Sequence, residues 1–505
     1  MRRNRGNRSV ISRRGLLAAM LASAALPACG EVMTSSPRPK LRGDDRGAGK
    51  AAPGQKSAVT TDAEALVQAA KLTGTVGFVL MDAKTGAVLE GREAGTALPP
   101  ASVTKAVTAL YALEKLGSGR RFVTRLLATG PIQGGVIQGD LVLAGGGDAT
   151  LQTDQLGDLA ARLAKRGVKG VSGRLLYWEG ALPYAAHIAA DQPDQVGYNP
   201  ALSGLNLNFN RVHFEWKKAG ADWSVAMDAR GERFIPQVSM VGMKVASRET
   251  PLYTYKGGAS REDWTVASGA LGKGGSRWLP VRLTGLYTAE VFRTLAKAQG
   301  VTLPEGQAVQ ALPRSDELAR VESEALPEVL RGMLRWSTNI TAECSGLSAS
   351  GAGSIAASGQ AMTAWVRQSF AVGASFADHS GLGGASRISA QDMAQILLRA
   401  ARDGRGLKPI LRDVGMKDAQ GKVIKGHPVK VMAKSGTLNF VSALAGYITP
   451  PGGREMIFAI FTGDPARRDA VPVAARENPP GSEAWISRSR KLQGQLISRW
   501  ASLYA

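Results

Sequence analysis

PPASVTKAVTALYALEKLG, residues 99–117, sets a serine, Ser102, and a lysine, Lys105, three positions apart at the start of an apolar run. The pattern predicts a helix from Ser102 to Leu116, apolar at Val103, Ala106, Leu110, Leu113 and Leu116. Its polar pair leaves two readings open. In one, Ser102 caps the helix and Lys105 lies on its solvated side. In the other they are a nucleophile and its base, neighbours one turn apart. A serine attacks only once a base takes its proton, and a lysine can be that base only when neutral. That requires lowering its usual pKa by about three units, roughly 4 kcal/mol, through burial or a second cation. Ser102 is the only serine in the chain with a lysine three residues on.

Working outward, DAEALVQAAKLTG (62–74) reads as an amphipathic helix, and TVGFVLMDAKTGAVLEGREAG (75–95) as two strands joined by a turn at DAKTG. Downstream, RWSTNITAE (335–343) places Ser337 and Asn339 two positions apart after a helix. They are either a capped helix end or a hydroxyl that relays a proton with an amide that orients a substrate carbonyl and the lysine. VKVMAKSGTLNFVSALAGYI (429–448) puts Lys434, Ser435, Gly436 and Thr437 at the end of a strand. There a glycine permits close backbone approach, the lysine and hydroxyls can grip an anion, and a strand edge can receive an extended peptide. Lys84-Thr85-Gly86 looks the same but sits in a hairpin, and is read as turn chemistry.

The order of ASVTK, STN and KSGT resembles the penicillin-recognising serine enzymes, the penicillin-binding proteins and serine β-lactamases. The 235 residues from Ser102 to Ser337 exceed the compact β-lactamase layout. The chain is therefore similar to the D-alanyl-D-alanine carboxypeptidase/endopeptidase family, the class C low-molecular-mass penicillin-binding proteins, which carry an insertion there. LVLAGGGDATL (141–151), YNPALSGLNLNFNRV (198–212) and DHSGLGGASRIS (378–389) add to the resemblance, which covers roughly Thr60 to Tyr504. It implies an α+β fold: a β-lactamase/transpeptidase-like domain, with an antiparallel sheet flanked by helices and a helical lobe, interrupted by a large β-rich insertion.

By the same resemblance Ser102 would be acylated and Lys105 would be the base, while Ser337 and Asn339 would complete proton transfer and substrate placement. Lys434, Ser435, Gly436 and Thr437 would hold the terminal carboxylate, and the N–H groups of Ser102 and Thr437 would form the oxyanion hole. Asp378 stays open between structural support and substrate contact. Two departures stand out: His379 where the family often has glycine, and Cys344, which interrupts the helix after STN. The implied activity is a serine-type D-Ala-D-Ala carboxypeptidase or endopeptidase acting on peptidoglycan peptides, with β-lactams as acylating mimics. The alternatives are a β-lactamase of the same superfamily and a non-catalytic envelope-binding protein. No cofactor is implied.

The organisation expected is an export signal over 1–29, a flexible tether over 30–59, a first part of the catalytic domain over 60–120, a β-rich insertion over 121–324 and a second catalytic part over 325–505. A chain of 505 residues exceeds one ordinary core. The leader has six arginines, no acid and an apolar run too short to span a bilayer. Arg13-Arg14 resembles a twin-arginine signal, so the periplasm is the expected location. LPAC, ending at Cys29, resembles a lipoprotein box despite Pro27, which makes Cys29 a candidate lipidation site and membrane tether; the alternative is ordinary cleavage after a small residue. With only Cys29 and Cys344, loss or lipidation of the first leaves no internal disulfide. His187, His213, His379 and His427 are scattered, so no metal site is expected. The net charge of +22 falls to +16 without the six leader arginines. Its even spread points to solvation or anionic envelope surfaces and not to nucleic acid. The oligomeric state is not legible.

Overall fold

Strands from the two ends of the chain meet in one sheet. Thr75–Asp82 pairs with Val88–Arg92 as a hairpin and, along its other edge, with Met456–Gly463, from Thr75 opposite Gly463 to Asp82 opposite Met456. In the computed structural model, which describes residues 62–418 and 421–504, these belong to a six-stranded sheet. Its order is Val88–Arg92, Thr75–Asp82, Met456–Gly463, Val441–Thr449, Lys430–Leu438, Arg412–Asp413, every pairing antiparallel. The expected leader and tether, including Cys29, lie outside the described residues. Among those described, no helix is long and apolar enough to cross a membrane.

VSALAGYITP and EMIFAIFTGD are apolar at nearly every position because both faces of the sheet are covered. On one face Phe78, Leu80, Phe458 and Ile460 pack under the helices Ala63–Ala70 and Ser482–Leu503, whose Trp485, Leu492, Leu496 and Trp500 are completely buried. Each such side chain removed from water contributes on the order of 2 kcal/mol. On the other face Val79, Ala443, Ile457 and Phe461 meet a helical lobe. The lobe comprises Thr104–Leu116, Leu326–Trp336, Asn339–Ser350, Ile355–Phe370 and Ala390–Arg402.

Local structure in this lobe adds to what was expected and in places departs from it. Ser102 does not open the α-helix. It sits in a 3-10 turn, Ala101–Val103, ahead of Thr104–Leu116, and neither element has a side-chain cap. Ala101 takes φ +47° there, which turns the chain sharply into the helix. Ser337 follows the helix Leu326–Trp336, as expected, and stands left-handed at φ +58° before a second helix, Asn339–Ser350. Cys344 does not interrupt the second of these helices; it lies inside it, buried, with its sulfur 3.7 Å from the Asn206 side-chain amide. Ile355–Phe370, rich in small and polar residues, is a further helix that its weak apolar pattern did not announce.

The inserted region enters by Val123–Ala128 and leaves by Asp316–Glu322, and these two strands pair antiparallel, so its ends leave the lobe side by side. They lie in a five-stranded mixed sheet with Gly306–Ala308, Leu175–Trp178 and Leu141–Ala144. RVHFEWKKAGADWSVAMD forms a hairpin, Arg211–Ala219 with Asp222–Asp228. The region is not strands alone. Thr153–Lys165 packs beside Thr284–Ala298 over a core containing Leu159, Phe214, Trp264 and Phe292.

Candidate active site

The serine turn, the STN break and the KSGT strand converge on Lys105, which is fully buried at the start of Thr104–Leu116. Its Nζ lies 3.0 Å from Ser102 Oγ, 2.7 Å from Asn339 Oδ1 and 2.6 Å from the Ser380 carbonyl oxygen. Asn339 Nδ2 donates to the Tyr198 carbonyl at 2.9 Å, which fixes the amide with its oxygen toward the lysine. Carbonyl oxygens only accept, so Lys105 must give an N–H to both Asn339 and Ser380. Its remaining valence points at Ser102. Burial lowers the Lys105 pKa to about 7, against the opposing pull of Asp378 and Glu343. In the neutral amine that valence is a lone pair aimed at the Ser102 hydroxyl. Of the two causes expected from the sequence, burial is the one that acts here.

Lys434 is also buried, and donates to Ser337 Oγ at 3.0 Å and to the Ser435 carbonyl at 2.7 Å. Burial first, then Lys105 and Arg412, holds its pKa well below the usual lysine value. Alternation along Lys430–Leu438 turns Lys434 and Gly436 to the same face. A Cβ on Gly436 would stand 2.6 Å from the Pro100 carbonyl oxygen and 2.8 Å from the Ser102 nitrogen, so only glycine lets the strand lie against the serine turn. The outer neighbour, Arg412–Asp413, pairs only with Ala433 and Met432, so the edge beyond them has no strand partner. Ser435 is exposed there, and Thr437, half-buried, accepts from Arg490 at 3.1 Å.

Asp378 was open between two roles, and its position fits structural support. It is 3% exposed, and its carboxylate accepts from the N–H groups of Gly381 at 2.5 Å and Gly383 at 2.7 Å. It therefore shapes the loop whose Ser380 carbonyl holds Lys105. Sequence reasoning missed Glu343, which does the same from the other side. Its carboxylate accepts from His379 N and from Ser380 N at 2.8 Å, and it is completely buried. Burial, then Asp378, pushes Glu343 well above the usual carboxylate range, and burial raises Asp378 too. The available signal was a single charge in the otherwise uncharged stretch NITAECSGLSAS.

His379 lies beneath the same loop, fully buried, with Nε2 2.6 Å from Ser358 Oγ. Burial holds its pKa down to about 3, so it is a neutral packing residue. Facing it is Gly346, where a Cβ would come within 2.2 Å of the imidazole ring. The KTG look-alike is a turn: Asp82 accepts from the N–H groups of Lys84 and Thr85, and those bonds with Arg454 lower its pKa to about 2. Among the described residues one group could bring metal-ligand atoms within 4.8 Å of one another, His213, Glu215 and Asp228. Arg230 pairs with both of its carboxylates at 2.9 Å and so already supplies the cation.

This architecture has known counterparts. The crystal structure of penicillin-binding protein 4 from Haemophilus influenzae superposes with a TM-score of 0.70 at 21% identity, covering 87% of this chain and 99% of that one. A second structure of that protein, complexed with a β-lactam, gives a TM-score of 0.66 at 22% identity, covering 86% and 99%. In sequence the chain is 27% identical to a D-alanyl-D-alanine carboxypeptidase of an Actinomadura species, over 79% of this chain and 80% of the relative. It is 25% identical to the carboxypeptidase DacB of Haemophilus influenzae, over 77% and 86%. The family model for D-Ala-D-Ala carboxypeptidase 3 (S13) matches residues 59–478. Because that match runs through the serine turn, the inserted region and the KSGT strand alike, the chain belongs to the D-Ala-D-Ala carboxypeptidase 3 (S13) family.

Proposed function

We propose that this protein is a periplasmic serine D-Ala-D-Ala peptidase working through an acyl-enzyme on Ser102. Neutral Lys105 takes the hydroxyl proton as Oγ attacks the carbonyl of the terminal D-Ala-D-Ala bond or of a D-alanyl cross-link. The N–H groups of Ser102 and Thr437 receive the oxyanion. Asn339 orients both Lys105 and the substrate carbonyl. The proton returns to the leaving amine through Ser337, D-alanine or the cross-linked strand departs, and water deacylates Ser102. Lys434, Ser435 and Thr437 hold the substrate carboxylate, with Gly436 providing the room, and the open strand edge receives the peptide. A β-lactam mimics this peptide and leaves a slowly hydrolysed ester.

The observation that carries the reading is the Lys105 amine, with two of its valences committed to carbonyls and the third directed at Ser102 Oγ at 3.0 Å. The decisive measurement is fluorescent-penicillin labelling of wild type and Ser102→Ala. Stable label on wild type alone is expected; no label on wild type removes the acyl-enzyme, and label lost within seconds indicates a β-lactamase. Digestion of monomeric and cross-linked muropeptides, followed by chromatography, separates carboxypeptidase from endopeptidase action. Export follows from Arg13-Arg14, and replacing both with lysine should leave the protein in the cytoplasm on fractionation. Retention of the mature chain in the membrane fraction, lost in Cys29→Ala, would mark lipidation.

A further inference from the structure

At the far end of the serine helix, where the chain enters the inserted region, four arginines surround a cavity of about 230 Å³: Arg120, Arg121, Arg125 and Arg320, with Glu317. Val123 and Gly146 complete its lining. Arg125 and Arg320 are direct cross-strand partners between Val123–Ala128 and Asp316–Glu322. Like charges placed directly opposite on antiparallel strands repel. The alternating residues Thr124 and Val321 are buried, so the two arginines share the outward face.

The pair is only partly neutralised. Arg320 contacts Glu317 and, at 3.6 Å, Glu322. Arg121 donates to the Ser323 carbonyl at 2.8 Å, and Arg120 lies over the Phe122 ring, so neither meets a carboxylate. Arg125 is half-buried, and its side chain has no hydrogen bond or ion pair among the described residues. Four guanidinium charges against the two carboxylates leave two positive charges facing one small cavity. Guanidinium forks match the geometry of a tetrahedral oxyanion, and a dianion would both balance this charge and separate Arg125 from Arg320.

We infer that this cavity is a binding site for a phosphate group. It is a recognition site and not a second reaction centre, since no serine, cysteine, lysine or histidine lines it. The ligand chemistry is that of a phosphate dianion, free or carried on a larger envelope molecule, bridged by Arg125 and Arg320 with Arg120 and Arg121 at the rim.

Titration of the purified mature protein with inorganic phosphate by isothermal calorimetry tests this, with malonate as a dicarboxylate control. Saturable phosphate binding is expected, weakened by about tenfold or more in Arg125→Gln with Arg320→Gln. Ser102→Ala should bind phosphate as wild type does, and malonate should bind more weakly. In phosphate-free buffer the double variant should melt no lower than wild type, because it removes a like-charge pair, and phosphate should raise the melting temperature of wild type only. Equal phosphate affinity in wild type and double variant, or tighter binding of malonate, overturns the assignment. A double variant that melts well below wild type without phosphate overturns the argument from repulsion. If the phosphate effect appears only with lipid-borne or polymer-borne phosphate and not with the free ion, the cavity itself is not the recognition element.

Discussion

At the scale of single residues, the site depends on a lysine that is kept neutral by removal from water. A shift from 10.5 to about 7 corresponds to a folding cost on the order of 5 kcal/mol when the amine is charged. The sign follows from proton counts. Between pH 7 and 10.5 the unfolded chain holds a proton on Lys105 that the folded chain has lost, so this residue makes stability rise with pH across that window. Below pH 7 the cost is present in full. Lys105→Met should therefore abolish penicillin acylation yet melt higher than wild type at pH 6, and the gain should shrink toward pH 10. Thermal denaturation at both pH values checks it, and a variant that melts lower at pH 6 would show that the lysine stabilises the fold. Acylation itself should rise about tenfold per pH unit up to pH 7 and then level, because only the neutral amine accepts the serine proton. A flat rate from pH 5.5 to 8 contradicts the role of Lys105 as base. Lys434→Ala should instead mainly weaken substrate affinity, seen as a raised KM for a peptide with a free terminal carboxylate.

At the scale of elements, close approach of backbones brings the motifs together. Gly436→Ala would drive a methyl group into Pro100 O and Ser102 N, and such overpacking costs about 1–3 kcal/mol. Acylation should fall far more than stability does, because the methyl displaces the nucleophile's own turn. Rapid-quench acylation beside a melting curve separates the two effects. Glu343 serves the opposite wall by pinning the loop that holds Lys105. Glu343→Ala leaves the His379 and Ser380 amides buried and unpaired, at about 1–3 kcal/mol each, while Glu343→Gln retains an acceptor and should recover most of that loss. Wild-type stability in Glu343→Ala would show that the loop holds its shape without it.

At the scale of the whole molecule, the inserted region is built into the site's wall. Leu182, Ile188 and Leu202 share an apolar cluster with Ile340, Leu347 and Leu382, and the Tyr198 carbonyl orients Asn339. Asp191 of the insertion accepts from Arg468 and Arg476, both at 2.8 Å, whose side chains are only 6% and 11% exposed. Removing the carboxylate leaves Arg476 with backbone acceptors only and Arg468 with Asp469 alone, at 3.2 Å. Asp191→Ala should cost about 2–3 kcal/mol, below the fully buried figure because Asp191 is itself a third exposed. Chemical denaturation measures it, and a change under about 0.5 kcal/mol would mean that the two regions are held by their apolar contacts and the Arg277–Glu477 pair without help from Asp191.

The sequence by itself determined the three motifs, the first amphipathic helix and the hairpin after it, because each follows from local periodicity or a short run of residue types. Ser102, Lys105, Ser337, Asn339 and Lys434 were therefore candidates in advance. Only the tertiary structure decided that Ser102 lies in a 3-10 turn, that Asp378 faces inward, and that Glu343 holds the lysine's loop. It also decided that Gly346 leaves room for His379 and that Arg125 stands opposite Arg320. Each of these joins residues far apart in the chain, and the burial that sets their chemistry exists only once the helical lobe, the sheet and the insertion have closed over one another. No periodicity within a single segment records which distant backbone will lie against it.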